Sequence, residues 1–168
     1  MIIQYKKLNL ENAEKIRKWR NNQINILRQN KIITKSEQIN YFKNFILKKN
    51  PKSKLFGINC DQEFIGYGGL VNISKVFKTA EISFILNNVI KHNSIYYEKI
   101  LSDFLSFIKI YAFKKKKLRK LYTETYSFRK KHIKVLENNK LKLEGVLKKH
   151  IIKNNKVYDS LFHGILRF

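Results

Sequence analysis

The sequence has little cysteine, proline or glycine, with one, one and six of them among 168 residues. The lone Cys60 excludes an internal disulfide, which fits a reducing compartment. No apolar run reaches the ~20 residues that a membrane-spanning helix needs, and the first ten residues lack the long apolar region of a signal peptide. We therefore predict a soluble cytoplasmic protein that forms a single domain over residues 1–168.

Acidic residues are also scarce, with 12 Asp and Glu against 36 Lys and Arg and a formal net charge of +24. Three explanations remain open: the residue usage of a very AT-rich genome, a field that attracts small anions, and nucleic-acid binding. The cations run from Lys6 to Arg167 without clustering, which argues against nucleic acid. His and Cys show no ligand spacing, so no metal is predicted.

The apolar pattern predicts a mixed sheet flanked by helices, in the order β, α, α, β, β, β, α, β, α, β, β. Tight turns are expected at Asp61–Gln62 and Asn154–Asn155, and Ser36 is the expected cap of the second helix. The predicted strands cover 2–10, 53–60, 63–74, 79–86, 121–128, 141–152 and 156–168, and the predicted helices cover 11–22, 36–49, 94–113 and 130–139.

Glycine is concentrated in the run "GYGG" at Gly66–Gly69. This run lies inside a predicted strand, lacks the GK[ST] ending of a phosphate loop and leads into no helix. It therefore indicates a bulge or close packing rather than a phosphate site.

Five strings follow one another along nearly the whole chain: "IRKWRNN", "FIGYGGLVNI", "AEISFIL", "YAF" and "HIKVLENNKLKLEG". In this order they resemble the GCN5-related N-acetyltransferase (GNAT) superfamily, in the branch of ribosomal-protein and amino-sugar N-acetyltransferases. The resemblance implies an α/β (α+β) fold, with a mostly antiparallel sheet of about seven strands, splayed between strands 4 and 5, and four flanking helices. It also implies that acetyl-coenzyme A (acetyl-CoA) lies in that gap and gives its acetyl group to an amine.

The resemblance assigns the coenzyme contacts to three regions. In the fourth strand, backbone groups of Phe84, Ile85 and Leu86 would pair with the pantetheine arm, and one N–H would polarise the thioester carbonyl. After the fifth strand, Arg129 and His132 occupy positions that contact the coenzyme or protonate its thiolate. An imidazolium could give that proton. The alternative for these two residues is a solvated pair.

The third region is the start of the central helix, where the family has a glycine-rich pyrophosphate loop. Counted forward, Lys91 takes the family's Arg position, and Ser94 and Tyr96 take glycine positions. Counted back from "YAF", the motif falls on Tyr96–Leu101, which includes Tyr97 and Lys99, with about five extra loop residues. The sequence does not choose between the two registers. The site does not depend on glycine in either of them, because any helix start can bind an anion through its free N–H groups.

The reaction also needs a base and an acceptor pocket. Glu81 and Glu124 are the candidate bases, and each could instead be a surface carboxylate or an ion-pair partner. By resemblance, the acceptor pocket would be lined by Arg20, Asn21, Arg28, Gln29 and Asp159.

The predicted function is acetyl-CoA-dependent N-acetylation of a primary amine. The preferred acceptor is a nucleotide-linked amino sugar of surface-polysaccharide biosynthesis. One alternative is a protein N-terminus of the ribosomal-protein type, and another is a non-catalytic interaction or nucleic-acid-binding module. A homodimer is left open as the assembly.

Overall fold

The computed structural model describes residues 1–48, 50–88 and 94–167. These contain a sheet that runs in the order β1-β2-β3-β4-β5-β7-β6. Neighbouring strands are antiparallel except for the parallel pair β4 and β5. The strands are β1 (Ile3–Lys6), β2 (Lys54–Cys60), β3 (Glu63–Ser74), β4 (Thr79–Leu86), β5 (Lys120–Tyr126), β6 (Lys142–Lys153) and β7 (Lys156–Leu166).

Helices cover both faces of this sheet. They are α1 (Asn12–Asn22), α2 (Lys35–Tyr41), α3 (Ser94–Ile110) and α4 (Lys130–Asn138). The predicted mixed sheet with four flanking helices is confirmed. Within the described residues, no helix has both the length and the apolar character needed to cross a bilayer.

Each face of the sheet has its own hydrophobic core. The larger core joins α3 and α4 to the sheet, and it buries Leu101, Phe104 and Ile108 completely or nearly so. The smaller core lies under α1 and α2 and contains Ile16 and Phe42. Side chains that alternate along β4 therefore point to different cores.

The "GYGG" run lies in β3 and allows close packing, as predicted. A Cβ on Gly68 would stand 2.6 Å from the Ser83 carbonyl oxygen and 2.8 Å from Cζ of Phe104. Both distances are too short for a real contact. Only glycine lets α3 approach the sheet this closely.

Local sequence signals predicted both tight turns correctly, but not the helix cap or the end of the first strand. The turns at Asp61–Gln62 and Asn154–Asn155 form with positive φ at all four residues. The expected cap at Ser36 is wrong, because Thr34 caps α2 in a reciprocal pair with Glu37. Strand β1 is also shorter than predicted and ends at Lys6.

The central feature of the sheet is the divergence of β4 from β5. The two strands pair over only three positions, the last of them Glu81 with Tyr122. At the next position the side-chain hydroxyl of Thr123 donates to the carbonyl oxygen of Ile82 at 3.2 Å. A side chain thus stands between the strands where a ladder bond would continue, and beyond it a gap opens. This is the predicted splay.

Candidate active site

The gap between β4 and β5 widens into a cleft of about 190 Å³. We call it the carboxylate cleft, after Glu81 on β4 and Glu124 on β5. Its walls also include Arg28 from the loop after α1 and Arg129 and His132 from the start of α4.

The two carboxylates share one guanidinium. Glu81 is 5% exposed and Glu124 is 12% exposed, whereas Arg28 is 59% exposed. Nη2 of Arg28 donates to Oε1 of Glu81, and its Nη1 lies 3.6 Å from Oε2 of Glu124. Both predicted bases therefore lie in the cleft, on the same face of the sheet and beside a cation.

Two further side chains hold these carboxylates, and sequence reasoning did not find them. Nδ2 of Asn72 donates to Oε2 of Glu81 at 2.8 Å, and the hydroxyl of Ser160 donates to Oε1 of Glu124. Asn72 has a φ of +50° at an irregularity of the β3–β4 register, which turns its side chain toward β4. An Asn inside a strand pattern is the one signal that could have indicated this.

Three of the predicted acceptor residues form a network that holds the loop after α1, and one of them, Arg20, also lines the carboxylate cleft. Nη1 of Arg20 donates to the Tyr67 hydroxyl at 2.9 Å, and its Nε donates to Oε1 of Gln29 at 3.2 Å. Nε2 of Gln29 donates to Oδ1 of Asn21 at 2.9 Å, and Asn21 in turn bonds the backbone of Ile33. This network fixes the loop that carries Arg28.

The long hairpin of β6 and β7 supports the same loop. Nζ of Lys153 donates to the carbonyl oxygen of Leu27 at 2.8 Å and to two neighbouring carbonyls. Asp159, the fifth predicted acceptor residue, does not line the cleft. Its carboxylate accepts from the Lys149 N–H at 2.8 Å and from Nζ of Lys148 at 3.3 Å, so it anchors β6.

The backbone of β4 presents alternate residues to the gap. The Asn87 N–H donates to the Ile65 carbonyl of β3 at 2.8 Å. Alternation along the strand therefore turns the backbone of Ile85 toward β3, and the backbone of Phe84 and Leu86 toward the gap. Phe84 is thus the predicted contact whose N–H and C=O both face the gap beyond the last β4–β5 pair.

Other polar groups border this gap. The Leu86 carbonyl accepts from Nε2 of the buried Gln23 at 2.6 Å, so it is already occupied. Oγ1 of Thr125, on β5, is buried and has no hydrogen-bond partner in the described part of the chain. A buried hydroxyl of this kind is expected to bond a ligand in the gap.

A buried polar group closes the α4 side of the cleft. Nδ1 of His132 lies 2.6 Å from the Tyr97 hydroxyl, which also accepts from Nη2 of Arg129 at 3.3 Å. Burial lowers the pKa of His132 well below its usual range, and the positive charge of Arg129 lowers it further. The imidazolium expected from the sequence is therefore disfavoured, and His132 is neutral at pH 7.

The Tyr97 hydroxyl is the acidic group of this cluster. Burial raises the pKa of Tyr97, although Arg129 opposes that rise, so the phenol remains protonated at neutral pH. The hydroxyl also hydrogen-bonds Nδ1 of His132, and the tautomer of His132 sets which of the two atoms donates.

The start of α3 is the predicted pyrophosphate region. The helix begins at Ser94, and Tyr96 and Lys99 are exposed near its first turn. Residues 96–101 are helical, and both registers stay predictions. Lys91, the key residue of the forward register, lies outside the described residues.

The sequence of the chain matches the family described as "Acetyltransferase (GNAT) domain" over residues 6–162. The chain belongs to the GNAT acetyltransferase family. It is therefore an N-acetyltransferase that uses acetyl-CoA as cosubstrate, as the resemblance implied. No cluster of His, Cys, Asp and Glu suited to a metal occurs among the described residues.

Solved structures share the fold at low sequence identity. The spermidine N-acetyltransferase of Vibrio cholerae, in complex with CoA and spermine, has a TM-score of 0.85 and 17% identity, over 98% of this chain and 95% of that one. A dodecameric form of that enzyme gives 0.81 and 18%, over 98% and 93%. Comparison with curated protein sequences gives no match.

Proposed function

We propose that the protein acetylates a small cationic primary amine of the polyamine type, at the carboxylate cleft. One observation carries the proposal: the guanidinium of Arg28 lies between two largely buried carboxylates. A cation at this point is what the acceptor's ammonium group would supply.

The energetics favour exchange of one cation for the other. Carboxylates as buried as Glu81 and Glu124 require a positive partner, because desolvation of an unpaired charge is costly. Arg28 is itself mostly exposed and belongs to a loop, so water can solvate it when it leaves. An ammonium has three donors, which suits two carboxylates on diverging strands.

The bound ammonium must lose a proton before it can attack. Glu81 is the proposed base, directly or through one water, and Asn72 holds its second oxygen in place. Acetyl-CoA supplies the acetyl group: the amine attacks the thioester carbonyl to form the C–N bond, and the C–S bond then breaks. The nitrogen loses two protons in all: the one that Glu81 removes passes to solvent, and the second, released after attack, replaces the proton that the departing thiolate takes up. Glu124 is proposed to bind the ammonium.

The described residues fit the cosubstrate in the gap. The backbone N–H of Phe84 is the proposed donor to the thioester oxygen, and Thr125 is a proposed polar contact. The Tyr97 hydroxyl is the proposed proton donor to the departing thiolate, with neutral His132 and Arg129 as its positioning residues. The first-turn N–H groups of α3, with Ser94, Tyr96, Lys99 and Lys91, are proposed for the pyrophosphate.

A polyamine suits this cleft better than a nucleotide-linked amino sugar. Two carboxylates repel a diphosphate, whereas they attract an ammonium. A relative of the same fold, the Vibrio cholerae enzyme, was solved with spermine. The amino-sugar and protein N-terminal acceptors stay predictions, as does the homodimer.

Thiol release from acetyl-CoA compares the acceptors directly. Spermidine, a UDP-amino sugar and a basic N-terminal peptide are supplied as acceptors at equal concentration. We expect spermidine to give the highest kcat/KM by about tenfold or more, a difference of one well-made ionic contact. A faster reaction with the UDP-amino sugar or the peptide would overturn the polyamine assignment. No calorimetric binding of acetyl-CoA at millimolar concentration would overturn the site as a whole.

A further inference from the structure

A second cleft of about 710 Å³ lies at the opposite end of α3. It opens where the turn after that helix meets the start of β2, the β3–β4 turn and the segment after α2. We call it the basic cleft. Since α3 has 17 residues, its two ends are roughly 25 Å apart. The basic cleft is therefore separate from the proposed pyrophosphate region.

Lysine dominates the charge of the basic cleft. Seven of its eighteen lining residues are lysines, and no Asp or Glu is among the lining residues that the structure describes. Across the described parts of the chain, none of these seven ammonium groups forms an ion pair. Six of the lysines are Lys48, Lys54, Lys75, Lys78, Lys116 and Lys117.

Local chemistry explains only part of this cluster. Lys116 and Lys117 follow the C-terminal end of α3, where the helix dipole favours cations. Lys48, Lys54 and Lys75 come from three other elements and gain nothing from that helix end. Like charges that converge from separate elements repel one another, and a bound anion relieves that repulsion.

The floor of the basic cleft is apolar. Leu55, Ile73 and Leu118 line it, and Tyr111 adds an aromatic ring. At the rim, Phe45 is 52% exposed and stacks on Tyr41 with ring centroids 5.4 Å apart. The cleft thus combines anion-binding side chains with apolar and aromatic surface.

We propose that the basic cleft binds a nucleoside polyphosphate. The lysines contact the phosphates, and the apolar floor and Phe45 contact the nucleoside. The volume falls within the range of roughly 300–1,000 Å³ that is usual for small-molecule sites. Because the lysines surround a concavity, a small ligand fits them better than a duplex, whose phosphates lie along a convex rod.

Calorimetric titration with ATP tests this proposal, in saturating CoA so that the cosubstrate site is filled. The test variant is K48Q/K75Q/K116Q, and the matched control is K15Q/K18Q/K142Q, which removes the same charge from exposed positions outside both clefts. We expect the test variant to lose about tenfold or more in ATP affinity, and the control to stay within about twofold. Equal losses, or no ATP binding by the unaltered protein, would overturn the proposal.

A second variant tests the nucleoside part. Phe45→Ala removes an exposed ring, and we expect it to weaken ATP binding while tripolyphosphate binding is unchanged. If the unaltered protein binds tripolyphosphate as tightly as ATP, the nucleoside assignment is wrong. Displacement of ATP by a short DNA duplex at lower concentration would assign the cleft to nucleic acid instead. Acetyl transfer should be equal in both triple-lysine variants, so failure here leaves the proposed function unaffected.

Discussion

The carboxylate cleft and the basic cleft use charge in opposite ways. In the carboxylate cleft, Glu81 and Glu124 are largely buried, and each has named partners within hydrogen-bond or ion-pair distance. In the basic cleft, the lysines are like-charged and have no acidic partner among the described residues. Paired buried charges fix the position of one reacting group, whereas lysines without acidic partners attract an anion without fixing its position. The first arrangement suits catalysis and the second suits binding.

The largest expected effect is at the carboxylate cleft. Glu81→Gln removes the proposed base but keeps the side chain's shape and its contact with Asn72. We expect kcat/KM to fall about 10³-fold, within the usual range for loss of a general base, with acetyl-CoA affinity unchanged. The measurements are thiol release and calorimetry, with the exposed Glu63→Gln as control. A loss below about fivefold would remove Glu81 from the mechanism.

The next effect is at the hydroxyl of Tyr97, which contacts Arg129 and His132 of the cleft wall. Tyr97→Phe removes the hydroxyl and keeps the ring that packs edge-on against Phe84 at 6.2 Å. Loss of a general acid should lower kcat about 10²-fold, and KM should change little. The pKa that Tyr97 contributes to the alkaline side of the kcat–pH profile should be absent from the activity that remains. An unchanged kcat would mean that water protonates the thiolate.

Arg28 tests whether the acceptor replaces a resident cation. Arg28→Gln removes the competing guanidinium, so we expect KM for spermidine to fall about fivefold, equivalent to the roughly 1 kcal/mol of a partly exposed ion pair. Arg167→Gln is the control, because Arg167 is exposed and lies outside both clefts. A rise in KM would show that Arg28 binds the acceptor itself.

The smallest expected effect is on how the stability of the protein depends on pH, with a variant in each cleft. Burial depresses the pKa of His132 in the folded protein, so the unfolded chain binds more protons below the ordinary value of about 6.5. The stability that the neutral, buried His132 contributes is therefore fully present above about pH 6.5. It is lost as the pH falls toward the pKa that His132 has in the folded protein. In His132→Asn, the fall in Tm between neutral and acidic pH should be smaller by roughly 2–4 °C. The K48Q/K75Q/K116Q variant should keep the original pH dependence, and an equal change in both would contradict this origin.

Much of the fold could be predicted because its signals are local. Period-two and helical apolar patterns predicted most strands and helices to within a few residues, although α2 ends at Tyr41 where the prediction ran to residue 49. Asp61–Gln62 and Asn154–Asn155 marked their turns. The cap of α2 was misplaced because Thr34 and Ser36 are both good cap residues. Their choice depends on Glu37, which bonds back only to Thr34.

Parts of the site could not be predicted because they depend on distant contacts. Asn72 and Ser160 come from β3 and β7, and apart from the unusual place of an Asn inside a strand pattern, nothing near them in the sequence indicates a carboxylate partner. Asp159 was expected in the acceptor pocket, but the β6–β7 register turns it toward Lys149. The imidazolium form of His132 was expected because burial cannot be read from a helix start.

The sequence by itself determined which strands and helices form and which family the strings resemble, because periodicity and local motifs are written along the chain. Only the tertiary structure decided that Arg28 bridges Glu81 and Glu124 and that β4 presents Phe84 to the gap. It also decided that lysines from separate elements surround one cleft. The physical reason is that charges interact through space, and residues far apart in sequence come within reach only when the sheet is assembled.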